Sequence, residues 1–143
     1  MLGVMSRPLV VVVIGAGDHT DPWHDLAATG SALVGLMAEK YEARIVSTDD
    51  LIGLADADLV IVDVGGDPDA DPVDSREAVD ALLAAHASGI PLLAVHSTTN
   101  GFRDDPRWAE LLGGRWVRGI SYHPPIGDTE VRVLADAPTT LWG

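Results

Sequence analysis

The sequence predicts an α/β domain built on a mainly parallel β-sheet, and three observations carry that expectation. Leu9-Val-Val-Val-Val-Ile14 and Asp58-Leu-Val-Ile-Val-Asp63 are continuous β-branched runs, the pattern of strands buried on both faces. Each is followed by glycine, at Gly15 and at Gly65-Gly66. The stretches between such runs repeat apolar residues every three to four positions, as a helix with one buried face requires. Alternating strands and helices of this length give a parallel sheet covered on both faces, because each right-handed crossover must pack back on the sheet. Five strands, or slightly more, in the order 2-1-3-4-5 are expected.

The first strand is Leu9–Ile14. Asp21-Pro22 reads as a cap and a first-turn proline, opening a helix along Leu26, Gly30, Leu33, Val34, Met37 and Tyr41. Ala43–Ser47 is a short second strand and Asp58–Asp63 the third. The next helix is expected to start near Asp74, with Glu77 reaching back as in a capping box, and to end at Gly89. Ile90–Val95 is the fourth strand. Asp105-Pro106 opens a short helix that Gly113-Gly114 closes, and Thr129–Leu134 alternates like an edge strand. Asp67, Asp69, Asp71 and Asp74 crowd eight residues, which read as a solvated loop. A length of 143 residues with 47% apolar content supports one core, so residues 1–143 form a single domain.

Charge and composition exclude several functions. Nine Lys and Arg stand against 22 Asp and Glu, a net charge of −13, so the mean field repels nucleic acid and anionic membrane surfaces. The absence of cysteine removes disulfides, thiolate metal sites and cysteine nucleophiles. No apolar run is long enough to span a membrane, and the N-terminus lacks the pattern of a secretory leader, which points to a cytoplasmic protein. A homodimer is compatible with a small α/β domain, although no interface is legible.

Ligands of such sheets sit outside the carboxyl ends of the strands, where the loops after strands 1, 3 and 4 converge. Those loops carry Asp18, His19, Trp23 and His24; Gly65 and Gly66; and His96, Ser97, Thr98 and Asn100. His96 follows an apolar strand directly and precedes small polar residues and Gly101, the pattern of a sharp turn that lifts one side chain into a cleft. A lone histidine there would more often be a satisfied strand cap. His24, His96 and His123 together favour a working site, with all three as catalytic candidates. Imidazoles serve acid–base chemistry, and three of them with an open fourth position would also suit zinc. No short metal motif is present, so acid–base catalysis or polar substrate binding ranks above the metal. Asp18, His19, Trp23, Gly65, Gly66, Ser97, Thr98 and Asn100 are the substrate-binding candidates; Trp23 offers a face for a sugar ring, and the Gly-Gly pair offers close backbone approach. His86, in the last turn of the second helix, complements the helix dipole and is assigned no function. Gly15-Ala-Gly17 lacks the third glycine of a dinucleotide loop and is flanked by Asp18 and Asp21, so no nucleotide or flavin is expected. Ser97 lacks the frame of a serine hydrolase.

His24-Asp25, Gly89-Ile-Pro-Leu-Leu-Ala-Val-His96-Ser97, Asp105-Pro-Arg-Trp-Ala-Glu-Leu-Leu-Gly-Gly114 and His123-Pro124 together resemble the ThuA-like (trehalose utilisation) family of the class I glutamine amidotransferase-like superfamily. The resemblance runs from the first strand to His123-Pro124. It implies a flavodoxin-like three-layer sandwich and a sugar-derived substrate. It also implies cleft positions for His24, His96 and His123, with Gly65-Gly66 matching the oxyanion-side loop of the superfamily. Relatives in the wider superfamily carry a cysteine nucleophile where this chain has His96, so glutamine amidotransfer is excluded. Two departures stand out: the chain stops at Leu141-Trp142-Gly143 where most of the family continues, and the usual His-Pro near that end reads Ala137-Pro138. Two readings follow, an enzyme on a small sugar derivative using cleft histidines, and a sugar-binding or regulatory domain without catalysis.

Overall fold

The computed structural model describes residues 6–130 and residue 132. Four strands, β1 (Leu9–Ile14), β2 (Glu42–Ser47), β3 (Leu59–Asp63) and β4 (Leu92–Ala94), form one sheet in the order β2-β1-β3-β4. All three pairings are parallel, with Val12 opposite Ile45 and Ile61, and Ile61 opposite Leu93. The expected order is reproduced for these four. Of the expected fifth strand, Thr129–Leu134, the described residues Thr129, Glu130 and Arg132 are not in a strand, and the others lie outside the described residues.

Three helices accompany the sheet: α1 (Leu26–Met37), α2 (Arg76–Ala87) and α3 (Pro106–Leu112). Because side chains alternate along a strand, β1 and β3 feed two separate cores. Val10, Val12 and Ile61 meet Leu33, Val34 and Met37 of α1. Val11, Val13, Val60 and Val62 meet Val79 and Leu82 of α2 and Trp108 of α3. One helix therefore covers one face and two cover the other, an arrangement compatible with a flavodoxin-like fold. Each fully buried valine or isoleucine contributes roughly 1.5–3 kcal/mol relative to exposure, which is why the uninterrupted β-branched runs sit at the sheet centre.

The start of α1 differs from the sequence expectation. Asp21-Pro22 does not open α1: the cap is Asp25, whose carboxylate accepts the Ala28 N–H at 3.0 Å. Asp21 is turned inward instead. The capping position of α2 falls at Ser75, one residue after Asp74, and Ser75 gives its N–H and hydroxyl to Asp104 at 2.8 and 2.5 Å. Asp74 itself accepts the first-turn Arg76 N–H at 3.0 Å, as expected of it, while Asp104, from the segment before α3, takes the part expected of Glu77. α3 follows the sequence closely, with Asp105 capping, Pro106 in the first turn and Gly113 ending the helix at φ 76°, a left-handed position natural to glycine.

Candidate functional site

The loops after β1, β3 and β4 meet at the carboxyl edge of the sheet. Beyond β4 the chain turns sharply into a 3-10 segment, His96–Asn100, and His96 takes φ 48°. A non-glycine residue in this region carries strain of about 1–3 kcal/mol and persists only where its surroundings hold it there. Here they do. Ser97 Oγ donates to the Val64 carbonyl at 3.0 Å. Thr98 Oγ1 donates to the Val62 carbonyl at 2.8 Å and accepts the Val64 N–H at 3.1 Å. The Asn100 amide donates to the Gly66 carbonyl, and Trp108 Nε1 donates to the Thr98 carbonyl at 3.2 Å. The turn is riveted to β3 while the His96 side chain stays exposed. Thr98 is fully buried with its hydroxyl committed to backbone, so it braces the turn and offers no ligand surface.

The β1 loop supplies the second ring. Asp21, its side chain 1% exposed, accepts the backbone N–H groups of Trp23 and His24 at 2.9 and 3.0 Å. Its two oxygens also face His24 Nδ1 at 2.7 and 2.8 Å. A carboxylate can only accept, so Nδ1 carries the proton and Nε2 is the free nitrogen of the neutral ring. The His24 and His96 rings meet edge to face, centroids 4.5 Å apart and planes at 90°.

Beneath them lies Asp63, the last residue of β3. It is 0% exposed, and neither carboxylate oxygen has a hydrogen-bond partner among the described residues. Burial pushes its carboxyl above the usual aspartate range; His96 and His24 pull it back in part, and Asp21 adds to the rise.

Adjoining this cluster is a cleft of about 400 Å³ whose walls include Asp18, His19, Gly65, Gly66 and Asn100. Asp21 is shared with it, whereas His24 and His96 are not among its lining residues. The His19 ring packs on Phe102 at 5.1 Å, and the His19 carbonyl accepts the Gly65 N–H at 2.8 Å. Arg103 holds the acidic loop over the cleft by donating to the carbonyls of Asp67 at 2.7 Å and Ala70 at 3.0 Å. Trp23 is 62% exposed.

His123 does not join the pair. It is exposed, its Nδ1 donates to the Pro124 carbonyl at 2.9 Å, and its ring leans on Trp116 at 5.8 Å. Trp116 in turn donates its backbone N–H to Thr99 at 2.9 Å, so His123 is one aromatic layer removed from the His96 turn. Among the described residues no three His, Asp or Glu side chains stand in an arrangement that would hold a metal ion. The three-histidine zinc site is therefore not formed, because the loop carrying His123 runs outside the cluster. His86 sits in the last turn of α2 as its sequence position implies. Ala137-Pro138 lies outside the described residues.

Sequence reasoning missed Asp21 and Asp63. Asp21 was legible only as a helix cap. Asp63 had one signal: it is the sole ionisable residue within β3, and it stands at the ligand end of that strand, just before Val64-Gly65-Gly66.

Comparison with protein-family models, with curated proteins and with solved structures found no match.

Proposed function

We propose that this chain is a ThuA-like protein of carbohydrate utilisation, an enzyme in which His96 and His24 act as an acid–base pair on a small sugar-derived substrate. The observation that supports this most is the ring pair itself: His96 stands on a strained turn, 4.5 Å from a His24 whose Nδ1 is tied to a buried carboxylate. Fixing Nδ1 leaves His24 Nε2 as a base of defined direction, and the exposed His96 supplies or removes the second proton. A polyol or ketose offers adjacent O–H and C–H groups on which two such rings can act in concert, as an isomerase or a hydrolase requires. Glutamine amidotransfer needs a thiol that the chain lacks.

In this reading Asp18, His19, Gly65, Gly66 and Asn100 contact the sugar, Trp23 stacks on one of its faces and Ser97 holds the turn. With Asp18, Asp21, Asp67 and Asp71 around the cleft, a phosphorylated sugar is disfavoured, so the substrate is an uncharged sugar derivative. The same reading gives a flavodoxin-like fold, a cytoplasmic setting and a homodimer. Among the described residues no helix is long and apolar enough to cross a membrane.

A non-catalytic sugar-binding domain is the second reading, favoured by the separation of the cleft lining from the two rings. Incubation with a panel of neutral aldoses, ketoses and disaccharides, read by mass spectrometry, separates the two. Conversion by the wild type that disappears in His96→Ala, with ligand binding kept, supports the enzyme. Undiminished conversion in that variant removes His96 from the chemistry, and binding without conversion by the wild type selects the second reading.

A further inference from the structure

Asp63 is the one fully buried carboxyl group among the described residues that has no hydrogen-bond partner. The strand needs no acid there: on the same face of the sheet, Val10, Val12 and Ile61 form an aliphatic core. An unpartnered buried polar group destabilises a fold, so its presence calls for a reason outside packing.

Its position supplies one. The pairing of Val62 with Ala94 sets Asp63 beside the Val95–His96 turn. The Gly15 N–H donating to the Asp63 carbonyl at 2.9 Å sets it beside the loop that carries Asp21 and His24. The ionisable groups that face it are His96 from the β4 turn and His24 and Asp21 from the β1 loop. The elements packed around it add none, since β1, β4 and α1 contain no charged or titratable side chain. Asp21 is already engaged by two backbone N–H groups and His24.

We propose that Asp63 is a positioning residue of this site that acts through the two rings: its charge is coupled to that of His96, so that a carboxylate at Asp63 is held with an imidazolium at His96 and a neutral carboxyl with a neutral ring. Among the described residues neither Asp63 oxygen is hydrogen-bonded to a ring nitrogen, so the two protonation changes are linked by charge and not by direct transfer: loss of the Asp63 proton goes with gain of one at the His96 imidazole, and the reverse restores two neutral groups. Proton count and net charge stay constant, so His96 changes protonation state without leaving an uncompensated charge in the apolar interior. Burial favours the neutral pair, and the proximity of the rings favours the charged one. Those opposed tendencies keep both states within reach.

The coupling is a property of the protein alone and does not rest on the sugar reading. The test is a pH titration of the full chain labelled with 13C at the aspartate carboxyl carbon, the Asp63 resonance being assigned by its loss in Asp63→Asn. The expected result is a midpoint above that of the exposed aspartates. His96→Ala should raise it further, by about one pH unit, because a neighbouring positive charge has been removed. Asp21→Asn should lower it. Should His96→Ala fail to fold, His96→Gln keeps the ring's place without its charge. Asp63 titrating together with the exposed aspartates, or a midpoint indifferent to the loss of the His96 ring, would overturn the proposal, whatever the sugar panel shows.

Discussion

Gly65 lies so close to Asp21 that a β-carbon on the glycine would stand 2.4 Å from Asp21 Oδ2. The contact links the loop after β3 to the carboxylate that orients His24, and it makes glycine a steric requirement of the site. Gly65→Ala should push Asp21 off His24 Nδ1 while leaving the sheet in place. The expected cost is about 1–3 kcal/mol, as for other overpacked positions. Urea unfolding measures that cost, and the cross-ring NOE between His24 and His96 reports the geometry. A variant of wild-type stability with the NOE intact would mean that the loop yields freely.

Thr98 ties the strained turn to β3 through both halves of its hydroxyl. Thr98→Val keeps the shape and removes both bonds, leaving the buried Val64 N–H without its acceptor and the Val62 carbonyl without this donor. A loss of about 1–3 kcal/mol is expected in chemical denaturation, together with faster amide exchange at Val64. An unchanged unfolding midpoint would show that backbone shifts replace these bonds.

Much of this architecture was legible before any coordinates. Runs such as Leu9–Ile14 announce a central parallel strand because they have no polar face, and Asp105-Pro106 with Gly113 marks both ends of α3 by cap chemistry. His96 was legible as the lifted residue of a strand-to-turn junction, and its φ of 48° bears out the sharp turn. Asp21 misled because Asp-Pro is equally a helix opening and an inward Asx turn; the inward one packs against Gly65, which is remote in sequence. His123 misled because the path of a loop is not encoded by local spacing. Asp63 was hidden in plain composition, since a strand ending in aspartate usually places it in water.

Two aspartates should give pH dependences of opposite sign. Asp63 has its carboxyl raised above the ordinary value of 3.8, chiefly by burial. The folded state then binds this proton more tightly than the unfolded chain, and the resulting stability is full below 3.8 and declines as pH rises towards the folded value. Asp63→Leu removes the group, so its stability relative to wild type should improve steadily with rising pH over that window. Asp105 is the reverse case. Hydrogen bonds from Arg107 hold its carboxyl below 3.8, so its contribution is present above that value and fades as pH falls through the folded one. Asp105→Asn should therefore flatten the acid limb of the stability curve. Unfolding free energies measured from pH 3 to 8, a range chosen to bracket about one unit below and several above the ordinary aspartate value, check both signs.

His96 concentrates the tension between stability and use. A left-handed backbone at a non-glycine residue is unfavourable by about 1 kcal/mol, and glycine relieves it. His96→Ala and His96→Gly both delete the ring, so the difference between them isolates the backbone. Glycine should be the more stable of the two by about 1 kcal/mol in urea unfolding, less whatever entropy it restores to the unfolded chain. Both should lose any turnover that the sugar panel reveals. An alanine variant more stable than the glycine one by about 1 kcal/mol, the full entropic difference, would show that the turn imposes no strain, and the left-handed angle would then lose its force as a mark of function. The predicted order, with activity lost in both, has a different meaning: the fold tolerates a conformation it would not choose in order to hold one imidazole at the mouth of the site.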